Sequence, residues 1–204
     1  DEGIAVARAT GDPHLIAHAM VLSNAQPWTR GDLETHRRIL EEAYAFMKAS
    51  DARAELGICL VWLATNALQR GDFGGAQRFL EEAAQAAEAS GSKFQQWAVA
   101  RARSREAIAR GEHVNGVRFA NDALALATEV GARRLIGLAH ARLGDALFEA
   151  GEPAQSRTVL EQGRATVDRE TMREAFVEIE WKLARAALAA SDRSAALAHA
   201  PGHA

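Results

Sequence analysis

A Gly-Asp or Gly-Glu dipeptide recurs every forty residues along this chain, as Gly31-Asp32, Gly71-Asp72, Gly111-Glu112 and Gly151-Glu152, and Ser191-Asp192 stands at the next expected position. A fixed period between about 20 and 50 residues marks a solenoid, a propeller or a similar array, in which each repeat buries its apolar face only against its neighbours. The segments between the dipeptides select among these. Phe73, Ala76, Phe79, Leu80, Ala83 and Ala87 fall at helical spacing on one face, while Arg78, Glu81, Glu82 and Glu88 take the other. No segment alternates apolar and polar residues as a half-buried strand does. Each repeat therefore reads as two amphipathic helices, A before the dipeptide and B after it. The spacing predicts helix pairs near 14–29 with 32–49, 53–69 with 73–90, 94–109 with 113–130 and 134–149 with 153–169. A helix over 173–190 and a stub near 193–200 follow.

The dipeptide itself has a mechanical reading. Glycine takes the positive φ that ends helix A. The acidic residue after it accepts hydrogen bonds from the free amides of helix B and complements that helix's dipole. Superposing the forty-residue frame lays residues 1–12 over the second half of a preceding helix B. The repeats then run about 13–52, 53–92, 93–132, 133–172 and 173–204, the last incomplete. The whole of 1–204 reads as one array, starting and stopping inside a repeat, so either a piece of a longer array or partner segments covering its ends are expected.

Three columns counted from the turn residue hold mostly small residues. Seven before it stand Asn24, Ala64, Ser104, Gly144 and Ala184. Five after it stand His36, Ala76, Gly116, Ser156 and Ala196. Twelve after it stand Ala43, Ala83, Ala123 and Gly163. Nine after it comes Leu40, Leu80, Ala120 or Leu160. With Leu143-Gly144 and Leu147 in helix A, this pattern resembles the tetratricopeptide repeat (TPR), in which small residues mark helix crossings. The period is forty rather than 34, and the proline that usually ends helix B is absent. The longer helices are similar to the repeat region of bacterial LuxR-type large ATP-binding transcriptional regulators of the maltose-activator kind. The resemblance implies an all-α right-handed superhelical solenoid of antiparallel helix hairpins. It also implies a sensor or protein-docking arm, with an ATPase upstream and a DNA-binding helix-turn-helix downstream.

Chemistry is sparse. There is no G-x-x-x-x-G-K-[ST] phosphate loop and no G-x-S-x-G elbow. His14 and His18 lack the glutamate of a zincin motif, because Leu15 stands in its place. The single Cys59 excludes an internal disulfide and reads as a small buried hydrophobe. The Arg-Gly-Asp tripeptides at 30–32 and 70–72 are explained by the repeat turn. Glu41-Glu42 and Glu81-Glu82 point about 100° apart on a helix and read as solvated faces. A formal net charge of -3 argues against a broad nucleic-acid surface. No apolar run approaches the roughly 18 residues of a membrane span, so the expected setting is cytoplasmic. No nucleophile, base and stabiliser assemble, so the expected role is non-catalytic, and no cofactor or metal is implied.

The resemblance places the ligand groove on the A helices, at set distances before the turn residue. Those columns include His18, Arg101, Trp181, Arg105, Asp145, Arg185 and Trp28. Arg101 and Arg105 lie four apart on one helix face, where they can grip a carboxylate, a phosphate or an acidic peptide. Alternatively the arginines of this cluster, Arg185 included, pair with Glu106, Asp145 or Glu149 and solvate the surface. Trp28 and Trp181 read either as apolar anchors for a ligand or as core. Three functions stay open. The first is docking of a protein or peptide, or of flanking domains of the same parent chain, within a larger bacterial transcriptional regulator. The second is sensing of an anionic small molecule in the groove, and the third is self-association.

Overall fold

A computed structural model describes residues 2–50, 52 and 55–199, with the side chain of Arg193 excepted. The sequence predicts a polar turn at Ser50-Asp51 and a tail spanning His199 and His203, and both lie partly outside the described residues. Among the described residues there is no strand, and the elements follow as α1 (Glu2–Thr10), α2 (Pro13–Leu22), α3 (Ala25–Thr29), α4 (Leu33–Ala49), α5 (Leu56–Gln69) and α6 (Phe73–Ser90). Then come α7 (Lys93–Ala109), α8 (His113–Val130), α9 (Arg133–Glu149), α10 (Pro153–Thr166), α11 (Arg173–Ala189) and α12 (Arg193–Ala198). The chain forms two compact units, Asp1–Ala102 and Arg103–Ala204.

The forty-residue dipeptide is the same turn each time. Gly31, Gly71, Gly111 and Gly151 have φ of 72°, 76°, 78° and 83°, and Ser191 adopts 60° in the fifth copy. In every copy the acidic residue's amide donates to the carbonyl five residues back, at 2.8 or 2.9 Å. This is the Schellman closure of helix A. The side chain of that acidic residue divides by type. Asp32, Asp72 and Asp192 cap helix B by accepting from the amides of Thr35, Gly75 and Ala195 at 3.0, 2.8 and 3.0 Å. Glu112 and Glu152 make no such bond, contrary to the reading from sequence. The extra methylene carries the glutamate carboxylate past the amides, and Glu112 accepts from the Asn115 side chain instead.

Two helix boundaries also depart from expectation. Helix A of the first hairpin is broken into α2 and α3 at Ser23-Asn24. Pro27 is the cause: it has no amide hydrogen, and its ring would strike the carbonyl of Ser23 in a continuous helix. Helix α10 stops at Thr166, three residues early. Asp168 there accepts from the amides of Glu170 and Thr171 and from the Thr171 hydroxyl, at 3.1, 2.9 and 2.9 Å, which favours a turn over helix. His199, read as tail, is held by Glu180, Nδ1 to Oε2 at 2.6 Å.

Within each hairpin the columns seven before and five after the turn meet where A crosses B. The Ser104 hydroxyl donates to the Gly116 carbonyl at 2.8 Å, and the Ser156 hydroxyl to the Gly144 carbonyl at 2.6 Å. Ala64 and Ala76 fill the same places and are fully buried. In the first hairpin the pair is Asn24 with His36, ring Nε2 to Oδ1 at 3.2 Å. Leu40, Leu80 and Leu160, next to these crossings, are 0–2% exposed. Each such leucine stabilises the fold by about 2 kcal/mol through apolar burial. Cys59 is buried too, with its thiol donating to the Leu40 carbonyl at 3.4 Å, and burial pushes its pKa up to about 12.

The acidic pairs are not all alike. Glu41 and Glu42 pair with Arg37 and Arg38 on the surface of α4. Glu82 instead ties α6 to α4, accepting from the Tyr44 hydroxyl at 3.0 Å and from Lys48 at 3.1 Å.

The crossing makes a direct prediction. A Cβ on Gly144 would run into the Leu160 side chain, which is fully buried. Gly144→Ala should therefore destabilise unit two by about 1–3 kcal/mol, the usual cost of overpacking. Urea unfolding of the variant beside the parent chain measures it; an unchanged midpoint would mean the crossing has slack.

Candidate ligand cleft

Helices α9 and α11 and the last turns of α7 enclose a cleft of about 330 Å³ in the second unit. Spacing along each helix aims the lining residues inward. Arg142, Asp145 and Glu149 recur at three and four residues on α9, and Lys182 and Arg185 are three apart on α11. Arg105 and Ile108 contribute from α7.

Asp145 is the hub. Its carboxylate, 15% exposed, forms ion pairs with Arg142, with Arg185 and with Lys182 at 3.3 Å. Lys182 also reaches Glu178 at 3.5 Å, and Arg185 reaches Glu149 at 3.0 Å. Burial opposes ionisation of Asp145, but the Arg142, Lys182 and Arg185 charges outweigh it and hold the carboxyl below its ordinary range. Burial pushes the Lys182 ammonium down, against the pull of Asp145 and Glu178. The charged pair is the state supported by the geometry, because one carboxylate here answers three cations. The Arg185 guanidinium lies 4.2 Å from the Phe148 ring centre and 5.3 Å from that of Trp181. Trp181 itself remains 52% exposed. Four cationic side chains line the cleft against two carboxylates.

Of the residues singled out in the sequence, Arg105, Asp145, Arg185 and Trp181 come together here. Arg185 takes up the pairing with Asp145 and Glu149 that the surface reading anticipated, yet does so on the cleft wall. Arg101, His18 and Trp28 belong to the first unit. Arg101 lies 5.7 Å from the Trp97 ring centre. His18 meets Glu55 at 3.4 Å. Trp28 is half-buried and packs on His36 and Trp62, with ring centres 5.1 and 5.7 Å away.

Sequence reasoning missed Arg142 and Lys182. Both stand nine before the turn residue, a column outside the resemblance's groove set. A signal was present: this column holds Leu22, Trp62 and Ala102 earlier in the chain and switches to cations only here. Also missed was the polar network around Trp28. His36 is fully buried; its Nδ1 accepts from the Asn66 side-chain amide at 3.0 Å, while Nε2 faces the Asn24 oxygen. The Asn66 amide also donates to the Leu33 carbonyl at 2.8 Å. The arrangement requires a neutral ring protonated at Nε2, and burial pushes the His36 pKa down.

Comparison with known proteins agrees on fold. No protein-family model matches the sequence, and no curated protein matches it. Solved structures do. A kinesin-light-chain-type protein of Podospora anserina with nearly identical TPR-like repeats superposes with a TM-score of 0.65 at 17% identity, covering 92% of each chain. BtubC from P. vanneervenii gives 0.70 at 16% identity over 97% of this chain and 84% of that one. A STAND signal-transduction ATPase with a tetratricopeptide repeat sensor, from Pyrococcus horikoshii, gives 0.72 at 14% identity over 90% of this chain and 28% of that one. The chain has the all-α, TPR-like helical-repeat fold. Among the described residues no helix is long and apolar enough to cross a membrane.

Two outcomes follow. Asp145→Ala strands buried cations, so it should cost about 3 kcal/mol of stability, at the low end for breaking a buried ion pair because the cleft is open to water. The native contribution of Asp145 is complete above its unfolded value of 3.8 and is lost as pH falls through its lowered folded value. Urea titrations of both chains at neutral and acid pH check the cost and the sign. The second concerns His36. Its neutral form contributes stability fully above 6.5, the unfolded value, and this is lost as pH drops from there through the lowered folded pKa. The urea midpoint should fall between pH 7.5 and 5.5, with a shallower fall in His36→Ala. Some slope will remain, because burial lowers His140 in the same direction.

Proposed function

We propose that this chain is a non-catalytic docking domain whose second-unit cleft receives an acidic protein or peptide segment. The observation that carries this reading is the half-exposed Trp181 standing beside Arg185 on a cleft lined by four cations and two carboxylates. Tryptophan and arginine are the residue types most enriched at binding hot spots, and an excess of cations selects an acidic partner. Val177 is 44% exposed and Leu188 60% exposed on the same helix, which adds apolar surface along the segment's path. The likeness to TPR-like structures supports docking as the mode of action. The likeness to the STAND protein, whose repeats are named a sensor, supports placing the domain within a larger signalling or transcriptional regulator. Arg105, Asp145, Arg185 and Trp181 would carry recognition, joined by Arg142 and Lys182.

A second reading rests on the same cations: a small organic anion occupying the cleft. One experiment separates the two. Short fluorescent peptides that combine carboxylates with a leucine or phenylalanine are titrated by anisotropy, beside basic and neutral peptides of equal length. The docking reading expects the acidic peptides to bind best, more weakly at high salt, and about tenfold or more weakly to Trp181→Ala. Absence of charge preference together with indifference to Trp181→Ala overturns it. Binding only of small organic anions, dependent on Arg185, replaces it with the sensor reading.

A further inference from the structure

The first unit contains a larger cavity, of about 600 Å³, between α1, the broken α2–α3 helix and α4. That volume lies within the range of small-molecule sites, about 300 to 1,000 Å³. The repeat supplies an internal control for why it is open. Forty residues on, the columns of Ile4, Ser23 and Ile39 hold Tyr44, Leu63 and Phe79. There Leu63 is 2% exposed, and Tyr44 and Phe79 pack on the unit's core. The smaller residues of the first hairpin, together with the break forced by Pro27, leave unfilled what the next hairpin packs.

The charges follow the same logic. Lys48 is held by Glu82 at 3.1 Å; in the first hairpin the corresponding residues are Arg8 and Glu42, and Glu42 is taken by Arg38 at 3.3 Å. Arg110 is held by Glu106 at 3.0 Å, but the residue before Arg30 in that column is the neutral Gln26. Arg8 and Arg30 line the cavity, and neither forms an ion pair among the described residues. Met20, Pro27 and Ile39 supply an apolar wall. Asp32 on the rim is committed to capping α4 through the Thr35 amide.

We infer that this cavity is a binding site for an amphipathic organic anion, an apolar chain or ring bearing one carboxylate or phosphate. The apolar body fills the space that Tyr44, Leu63 and Phe79 occupy in the next hairpin, and Arg8 and Arg30 hold the anion. The site is separate from the docking cleft and does not depend on it.

Isothermal titration and tryptophan fluorescence of the chain with decanoate and decyl phosphate, below micelle formation, test this. Decanol, acetate and inorganic phosphate are the controls. Trp28 is the reporter, being next in sequence to the lining Pro27. The expected result is saturable one-to-one binding of decanoate or decyl phosphate, about tenfold or more tighter than any control, because both the apolar body and the charge-assisted bonds are needed. The better of the two names the headgroup. The double variant Arg8→Ala, Arg30→Ala, both exposed, should bind about tenfold or more weakly, each arginine supplying charge-assisted bonds. Ser23→Leu with Ile39→Phe restores the packing of the next hairpin, so it should abolish binding with an equal or higher melting temperature. Absence of saturable binding, equal binding of decanol, or unchanged binding in the arginine variant overturns the inference. Should the filled variant fail to fold, the arginine variant decides.

Discussion

Everything in this molecule depends on how closely helix A approaches helix B within a hairpin. The contact falls on two positions twelve residues apart, one on each helix, and both are almost wholly buried in the first four pairs. Such an approach admits only side chains no larger than a methyl or hydroxyl, or a polar pair that satisfies itself. The chain uses all of these: Ala64 with Ala76, Ser104 with Gly116, Gly144 with Ser156, and Asn24 with His36. The last is the costly solution. An imidazole is much larger than a methyl, and an unpaired buried polar group costs about 1–3 kcal/mol, so His36 is tolerated only because Asn24 and Asn66 engage both ring nitrogens. Once the crossing is fixed, the rest of each helix has no freedom in which face it turns outward.

That fixed outward face explains the charge cluster. Arg142, Asp145, Lys182 and Arg185 cannot rotate away from one another without breaking the crossing at Gly144 and exposing Leu183, which is buried at 2% exposure. Gathering charge in a poorly solvated place is weak evidence for stability, since desolvation offsets the Coulombic gain. Here the imbalance is more telling than the pairing. Asp145 pairs with three cations, and Glu149 and Glu178 beside it still leave four cations against three carboxylates. A fold optimised for stability alone would not leave positive charge in excess beside a half-exposed tryptophan, and departures of this kind are expected at functional sites.

Much of the fold could be read from the sequence because the repeat averages out local ambiguity. Five turns at one spacing fix the helix ends more securely than any one of them, and Ser191 adopts the glycine conformation because the frame demands it there. What escaped reading depended on details that periodicity does not encode. The break at Ser23-Asn24 follows from a single proline, and the short α10 from a single aspartate competing for amides. The failure of Glu112 and Glu152 to cap follows from one methylene. For the cleft, Arg105, Asp145, Arg185 and Trp181 were legible through groove columns. Arg142 and Lys182 were not, because a long side chain reaches a site from a column whose backbone lies beside it.

The two candidate sites share an origin. In each, columns change the size or the polarity of their residues in one stretch of chain. Nine before the turn, Leu22, Trp62 and Ala102 give way to Arg142 and Lys182, and the second unit gains its charged cleft. In the first hairpin, Ile4, Ser23 and Ile39 stand where the next has Tyr44, Leu63 and Phe79, and a cavity opens. Substitutions at the crossing columns would have disturbed the hairpin itself. Those at the flanking columns change only what a groove or a gap presents. A helical repeat therefore separates the two demands on its sequence: one set of positions must stay small so that the array forms, and another can vary from copy to copy until a surface or a cavity acquires its own chemistry.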